Sequence, residues 1–383
     1  MMTRAPILLH DFQSQRPRHH AEQGVARGRI AAAHAQAEIT LRRPDSREER
    51  EEIVRKLRRL VLRFGCSTDR ISTRYVALDD FSHTDWGRMR IFQLDRFPAG
   101  KPCDERSRFF REVAGAAFDR FYAEEADPPG ALIHVTCTGY VAPSAAQRLV
   151  AGRDWGRATE VLHAYHMGCY AALPAIRLAA GLLERGKERV DMVHTELCSL
   201  HLDPSQHLPE QLVLQTLFAD GLIRYRVSRP EGAREGLELV DAREELVPGT
   251  EDAMTWMVSQ FGMQMSLSRQ VPEYIRAGLG PFLDRLGAGQ GLDARQLAER
   301  ALFAIHPGGP RIIDEIAELL DLGPDQVQAS NTILRNRGNM SSATLPHVWQ
   351  AMLADPAVAA GRLIVSLAFG PGLTLSGALL RKR

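Results

Sequence analysis

Three polar residues, each set in a glycine-containing context, are the first candidates for chemistry. Cys169 follows Gly168 and precedes a run of small and apolar helix formers, Ala171, Ala172, Ala175, Ile176, Leu178 and Ala179. A thiol at a helix start meets the positive end of the macrodipole and unpaired backbone N–H groups, and both favour the thiolate that a nucleophile requires. A lone intracellular cysteine is more commonly a small buried hydrophobe, so the assignment needs support from elsewhere. His306 supplies some of it: an apolar strand pattern ends there, and Pro307-Gly308-Gly309-Pro310 forms a tight turn able to hold an imidazole at the edge of a cavity. Asn339, in Gly338-Asn339-Met340-Ser341-Ser342-Ala343, offers an amide donor at a second helix start. Phe369-Gly370-Pro371-Gly372-Leu373-Thr374 is a glycine loop that can bring backbone close to a ligand.

The elements that must position these residues alternate in type. Ala131 to Cys137 reads as a strand, Ala145 to Val150 and Ala171 to Arg185 as helices, and Val190 to Thr195 as a second strand, which is α/β wiring. Upstream, Arg29 to Ile39 reads as a helix, while the Arg/His/Gln segment before it has no period and reads as an extended arm or loop. Ser46 with Glu49 makes a capping-box pattern, Ile53, Leu57, Leu60 and Phe64 recur at helical spacing, and Gly65 is a stop. The opposite side of that helix carries Arg55, Arg58, Arg59 and Arg63, either a solvated face or a landing site for a phosphate-bearing carrier. Glu231 to Gly249, rich in Gly, Pro and charge, reads as a linker or a surface excursion between halves, which divides the chain into residues 1–230 and 231–383, with 1–45 as the arm and its helix. In each half a glycine is followed by a reactive or polar residue and a helix, and then by a strand, the second being Arg362 to Ala368. An internal duplication would bring two such helix starts to one pseudo-symmetry axis.

The bulk properties fit a soluble globular protein in a reducing compartment. A chain of 383 residues with a formal net charge of +1 has ordinary globular composition and gives no electrostatic reason to expect nucleic acid. Cys66, Cys103, Cys137, Cys169 and Cys198 are scattered and form no CxxC pair, against a disulfide framework or a zinc ribbon. Met1 to Gln13 is a poor secretory signal and no later stretch suits a bilayer, so a cytoplasmic protein with no membrane partner is expected.

Taken together and in order, these segments resemble the chalcone synthase family, the type III polyketide synthases. Gly168-Cys169 is similar to the family's nucleophile context, His306 to Pro310 to its histidine motif, Gly338 to Ala343 to its asparagine motif, and Gly370-Pro371-Gly372-Leu373-Thr374 to its closing loop. Leu217-Phe218-Ala219-Asp220-Gly221 is similar to another signature, with Ala219 where glycine is usual. The resemblance runs from about Arg74 onward. It implies a thiolase-like, duplicated αβαβα five-layer fold and a homodimer. It also implies decarboxylative condensation of acyl thioesters, carried by coenzyme A or an acyl carrier protein, with no further cofactor. Cys169 would hold the acyl group, while His306 and Asn339 would stabilise the enolate of a malonyl-type extender.

Several positions depart from the pattern. Phe218 falls on one gatekeeper phenylalanine but Met265 on the other; Trp256 falls where a small residue lines the elongation space, and Ala142 where a methionine reaches toward the partner subunit. Cys137, Cys198 and His201 fall near positions that are often threonine. These changes imply a reshaped, shortened pocket. Other readings are a fatty-acid-type ketoacyl synthase III, a ketosynthase joining two preformed acyl chains with closure to a pyrone, and a non-catalytic scaffold. A metal site is a further reading, because His163, His166 and Cys169 would share one face if that stretch were helical. Gly287-Ala288-Gly289-Gln290-Gly291 lacks a leading strand and reads as a plain loop.

Overall fold

A computed structural model describes residues 6–229, 232, 234–309 and 311–383. Pro310 of the histidine turn, Glu231 of the expected linker and residues 1–5 lie outside them. The chain begins with β1 (Leu8–Gln15), β2 (His19–Glu22), α1 (Gln23–Arg42), α2 (Arg47–Phe64), β3 (Thr73–Val76) and α3 (Cys103–Phe121). Next come β4 (Ala131–Thr136), α4 (Ala145–Gly152), β5 (Glu160–Tyr165), α5 (Ala172–Glu184), β6 (Arg189–Leu197), α6 (Pro209–Leu217) and β7 (Asp220–Ser228). They are followed by β8 (Leu237–Leu246), β9 (Met254–Ser259), β10 (Gly262–Leu267), α7 (Val271–Gly287), α8 (Ala294–Arg300) and β11 (Leu302–Ile305). The last are α9 (Ile312–Leu320), α10 (Gln328–Arg337), α11 (Thr344–Ala354), β12 (Leu363–Gly370) and β13 (Thr374–Lys382).

Nine strands form one mixed sheet in the order β11-β12-β13-β8-β1-β7-β6-β4-β5. Its two wings meet where β1 pairs with β8 through Leu8–Glu238 and Leu9–Leu237. Side chains alternate across each wing. In β4, Ile133 and Val135 face one core while Leu132 faces another; in β12, Ile364 and Ala368 oppose Val365 and Leu367. Because both faces are covered, the strands read in sequence as nearly continuous apolar runs. α5 and α11 lie between the wings, where Ile176, Val348 and Trp349 share one core with strands of both. α3 and α4 cover the outer face of one wing, and α7 and α9 that of the other, which completes the five αβαβα layers. α1 and α2 pack on α6 at the side of this stack. Among the described residues no helix is long and apolar enough to cross a membrane.

Ser46 caps α2 as expected, accepting from the Glu49 N–H at 3.1 Å, while the Glu49 carboxylate reaches the Asp45 N–H at 3.2 Å. Three expectations fail. The segment read as an arm contains β1 and β2, and α1 is longer than Arg29 to Ile39. β1 is hydrogen-bonded between β7 and β8, and a register shift between His10 and Gln13 breaks the alternation that would have marked it. The expected linker contains β8. Its charges gave the wrong signal because they are paired on the sheet surface, Glu245 with Arg285 and Glu244 with Arg177. His163 stands on strand β5, where it bonds Ser144 Oγ at 2.9 Å, so the helical face required by the metal reading does not exist. The Gly287 to Gly291 stretch is the end of α7 and a 3-10 turn.

Candidate active site

Cys169 lies in the turn between β5 and α5. Gly168 has φ +84°, a conformation costly for other residues, and a Cβ there would sit 3.1 Å from Pro371 Cδ. The glycine loop therefore packs directly against the cysteine turn. Gly370 allows the same contact from the other side, since a Cβ there would fall 2.0 Å from the Tyr170 ring, and Gly372 has φ +114°. α5 starts at Ala172, so Cys169 precedes the helix rather than occupying its first turn.

Asn339, from the C-terminal part of the chain, reaches the same sulfur. Its backbone N–H donates to Leu217 O at 3.0 Å and its carbonyl accepts from Ala219 N–H at 2.7 Å, which clamps it beside Phe218. Its side-chain oxygen accepts from Ser341 N–H at 2.8 Å and from Thr344 Oγ1 at 3.3 Å. The amide orientation is thereby fixed, and Nδ2 faces Cys169 Sγ at 3.9 Å. Ser341 Oγ lies 3.8 Å from the same sulfur.

His306 ends β11, with its N–H donated to Leu367 O at 2.8 Å. It is buried, and among the described residues neither ring nitrogen has a hydrogen-bond partner. Burial holds its pKa down to about 3, so the imidazole is neutral. Burial likewise pushes the Cys169 thiol up to about 12, against the smaller effects of the Ser341 and Asn339 hydrogen bonds, and the Glu196 carboxylate adds to the rise. Desolvation thus opposes the thiolate that the helix start favours.

A cavity of about 830 Å³, its mouth included, opens at Cys169. Phe218 and Met265, the two gatekeeper positions, line it, as do Ser341 and Pro371. His306, Asn339, Gly370 and Gly372 are not on its wall. Cys137, Cys198, His201 and Trp256 line it too. Trp256 Nε1 donates to Cys137 O at 2.9 Å, which fastens the β9–β10 hairpin across the cavity. His201 makes a second clasp. Its Nε2 bonds Thr138 O at 2.8 Å and must donate, so Nδ1 is the acceptor for Met263 N–H at 3.1 Å.

Sequence reasoning missed Glu196, a buried carboxylate on β6. It accepts from Cys137 N–H at 3.0 Å, from Thr138 Oγ1 at 2.7 Å and from Ser342 Oγ. His194 donates Nδ1–H to Ser342 Oγ at 3.1 Å and accepts at Nε2 from Tyr225 OH at 3.3 Å, because the serine proton is already committed to Glu196. A glutamate within the expected buried strand from Val190 was the available signal, since a charge in a buried strand must find donors. Arg74 was missed as well. It is buried on the cavity wall and donates to Phe218 O at 2.8 Å and to Gln215 O at 3.1 Å.

Arg55, Arg58, Arg59 and Arg63 are exposed on α2 and are not among the residues lining the cavity; Arg55 lies 3.7 Å from Glu51 and Arg63 rests on the Phe64 ring. Among the described residues no cluster of His, Cys, Asp or Glu is placed to hold a metal ion.

Residues 238–382 match the family model of the C-terminal domain of chalcone and stilbene synthases. A 1,3,6,8-tetrahydroxynaphthalene synthase of Streptomyces coelicolor is 30% identical over 63% of this chain and 64% of its own length. An alpha-pyrone synthesis polyketide synthase-like protein of Mycobacterium tuberculosis, Pks18, is 27% identical over 81% of this chain and 79% of its own. The crystal structure of the C-terminal type III polyketide synthase domain of Steely1 from Dictyostelium superposes with a TM-score of 0.80 at 23% identity, covering 98% of this chain and 99% of that one. That likeness establishes the thiolase-like fold. The chain spans less than two thirds of the naphthalene synthase's length and a small part of longer polyketide synthases.

Proposed function

We propose, for a chain that belongs to the chalcone synthase-like type III polyketide synthase family, that it is a ketosynthase acting through an acyl-cysteine intermediate. The observation that carries this reading is the Asn339 amide, locked by its own oxygen and turned onto the Cys169 sulfur. Cys169 attacks the carbonyl of an acyl thioester and its proton passes to His306, whose ring nitrogens are unoccupied; the acyl–sulfur bond to the carrier breaks and the carrier leaves as a thiol. A malonyl-type thioester then loses carbon dioxide. The electron pair moves onto the thioester oxygen, where Asn339 Nδ2 and a His306 N–H stabilise it. The enolate carbon attacks the acyl carbonyl and displaces Cys169. Trp256, tied to Cys137 O, shortens the space for further rounds and favours few condensations with release as a pyrone or β-ketoacyl product.

Acyl donors reach the protein on coenzyme A or on an acidic carrier protein, guided by Arg55, Arg58, Arg59 and Arg63 on α2. The working unit is a homodimer of chains built from two halves, residues 1–230 and 231–383, located in the cytoplasm. Intact-mass spectrometry after incubation with acyl-coenzyme A donors tests the chemistry: one acyl adduct is expected on Cys169 and none on Cys169→Ala. An adduct that survives in the variant would sink the assignment. Turnover with acyl-carrier against acyl-coenzyme A substrates tests the carrier.

A further inference from the structure

The Arg74 guanidinium carries more donors than the fold uses. It stands at the end of α6, where Nε donates to Gln23 Oε1 at 2.8 Å and Nη1 donates to Gln215 O at 3.1 Å and Phe218 O at 2.8 Å. A clasp on the helix end accounts for those two nitrogens. Among the described residues Nη2 has no hydrogen-bond partner, although Arg74 is only 4% exposed and lines the Cys169 cavity. Its charge has no close carboxylate either. Asp220 accepts from the N–H groups of Ala77 at 2.7 Å and Ser199 at 2.8 Å and from Ser199 Oγ at 2.7 Å, and it makes no hydrogen bond to Arg74. Burial lowers the guanidinium pKa to about 10, so the group stays cationic at neutral pH. A buried cation needs an anion or dipoles around it, and only amide and carbonyl oxygens bond this one.

The position of Arg74 beside the reaction centre narrows the choice of anion. Its stem packs on Gly338, where a Cβ would meet Cγ at 3.1 Å and Cδ at 3.2 Å, and Gly338 precedes Asn339. Phe218, whose carbonyl accepts from Nη1, is bridged to Asn339. The cation and the Asn339 amide are therefore held by the same two segments, 217–219 and 338–339. We propose that Arg74 Nη2 binds the carboxylate of the malonyl-type extender while Asn339 and His306 hold its thioester oxygen. This rests on the condensing reading, in which the extender brings one anionic group into the cavity beyond the carrier's phosphates. Separate holds on carboxylate and carbonyl can turn the breaking C–C bond out of the thioester plane, so that its electron pair flows onto the oxygen as carbon dioxide leaves. The Arg74 contact belongs to the bound extender and is lost as charge moves to that oxygen, so its removal should appear in KM and not as a fall in kcat.

The test uses the full chain, with malonyl-coenzyme A as substrate for decarboxylation and its neutral amide, malonamoyl-coenzyme A, as competitor. In the unaltered protein the Ki of the amide should exceed the KM of malonyl-coenzyme A at least about tenfold, the size of one charge-assisted hydrogen bond. Arg74→Gln should raise that KM at least about tenfold without a matching fall in kcat, while the Ki of the amide moves less than about twofold. Arg74→Lys, which keeps the charge, should recover part of the preference for the carboxylate. Both ligands carry the same pantetheine and phosphates. A clasp that only shapes the wall, or a cation that reads the carrier's phosphates, would therefore weaken both alike in Arg74→Gln, and that result overturns the proposal. Equal affinity for the two ligands in the unaltered protein overturns it without any substitution. Absence of both acyl loading and decarboxylation refutes the ketosynthase reading instead, and calorimetry with the same two ligands then decides the carboxylate site alone.

Discussion

At the scale of single residues, burial opposes the charged forms of both Cys169 and His306. Cys169 is a thiol with its pKa pushed up to about 12, and His306 is neutral with its pKa held down to about 3. On the proposed mechanism the thiolate would then form during attack. Free enzyme should react with iodoacetamide slowly at pH 7, and the rate should keep rising about tenfold per pH unit through pH 9, with no plateau near neutrality. A plateau would show a pre-formed thiolate. Asn339 makes a different prediction, because its Nδ2 is a hydrogen-bond donor and nothing in its geometry supports sulfur chemistry. Asn339→Ala should still load an acyl group on Cys169 while decarboxylation falls by about 10²-fold or more, as for loss of one oxyanion donor. Asn339→Asp should be no better, since the added carboxylate would oppose the enolate.

At the scale of elements, the β9–β10 hairpin decides how much of the cavity is usable. Trp256 reaches from β9 to Cys137 O, and His201 holds Met263 of β10. Trp256→Ala should lengthen the products, seen as extra two-carbon units by mass spectrometry, at a stability cost of about 3 kcal/mol for the truncated ring and its hydrogen bond. The same elements show what could be read from sequence. α2 declared itself through Ser46 and its apolar spacing, and α5 and β4 through largely apolar runs. β1 and β8 did not, because their strand character depends on partners more than two hundred residues away or on surface ion pairs, and local sequence records neither. In the site, Cys169, Asn339, Phe218 and Trp256 were legible as types in order. Glu196 and Arg74 were not, because their importance lies in the backbone atoms they hold.

At the scale of the whole molecule, burial of ionisable rings ties folding to pH. His134, His194, His306 and His347 are each held down to about 3 from 6.5, with burial the main cause. Between those values the unfolded chain binds protons that the folded chain refuses, so stability rises with pH in this window and is lost as pH falls below 6.5. Each such histidine contributes a slope of about 1.4 kcal/mol per pH unit within that window. The thermal midpoint should accordingly fall steeply between pH 6.5 and pH 5. His347→Gln should make that fall shallower, a change visible by calorimetry across the same window. A midpoint independent of pH would mean that these rings gain protons without unfolding.

The placement of β1 also sets an order in time. β1 lies between β7 and β8, and β8 in turn lies against β13. On a ribosome that adds about 5–20 residues per second, the segment 8–15 must wait many seconds for its neighbours at 220–246 to emerge. Cys169 emerges long before Asn339 and the Gly370 loop that pack against it. During synthesis the nascent chain therefore carries an exposed thiol with no donors around it, and a strand with both edges open. Chaperone dependence and slow, non-local sheet closure are the expected consequences of this topology.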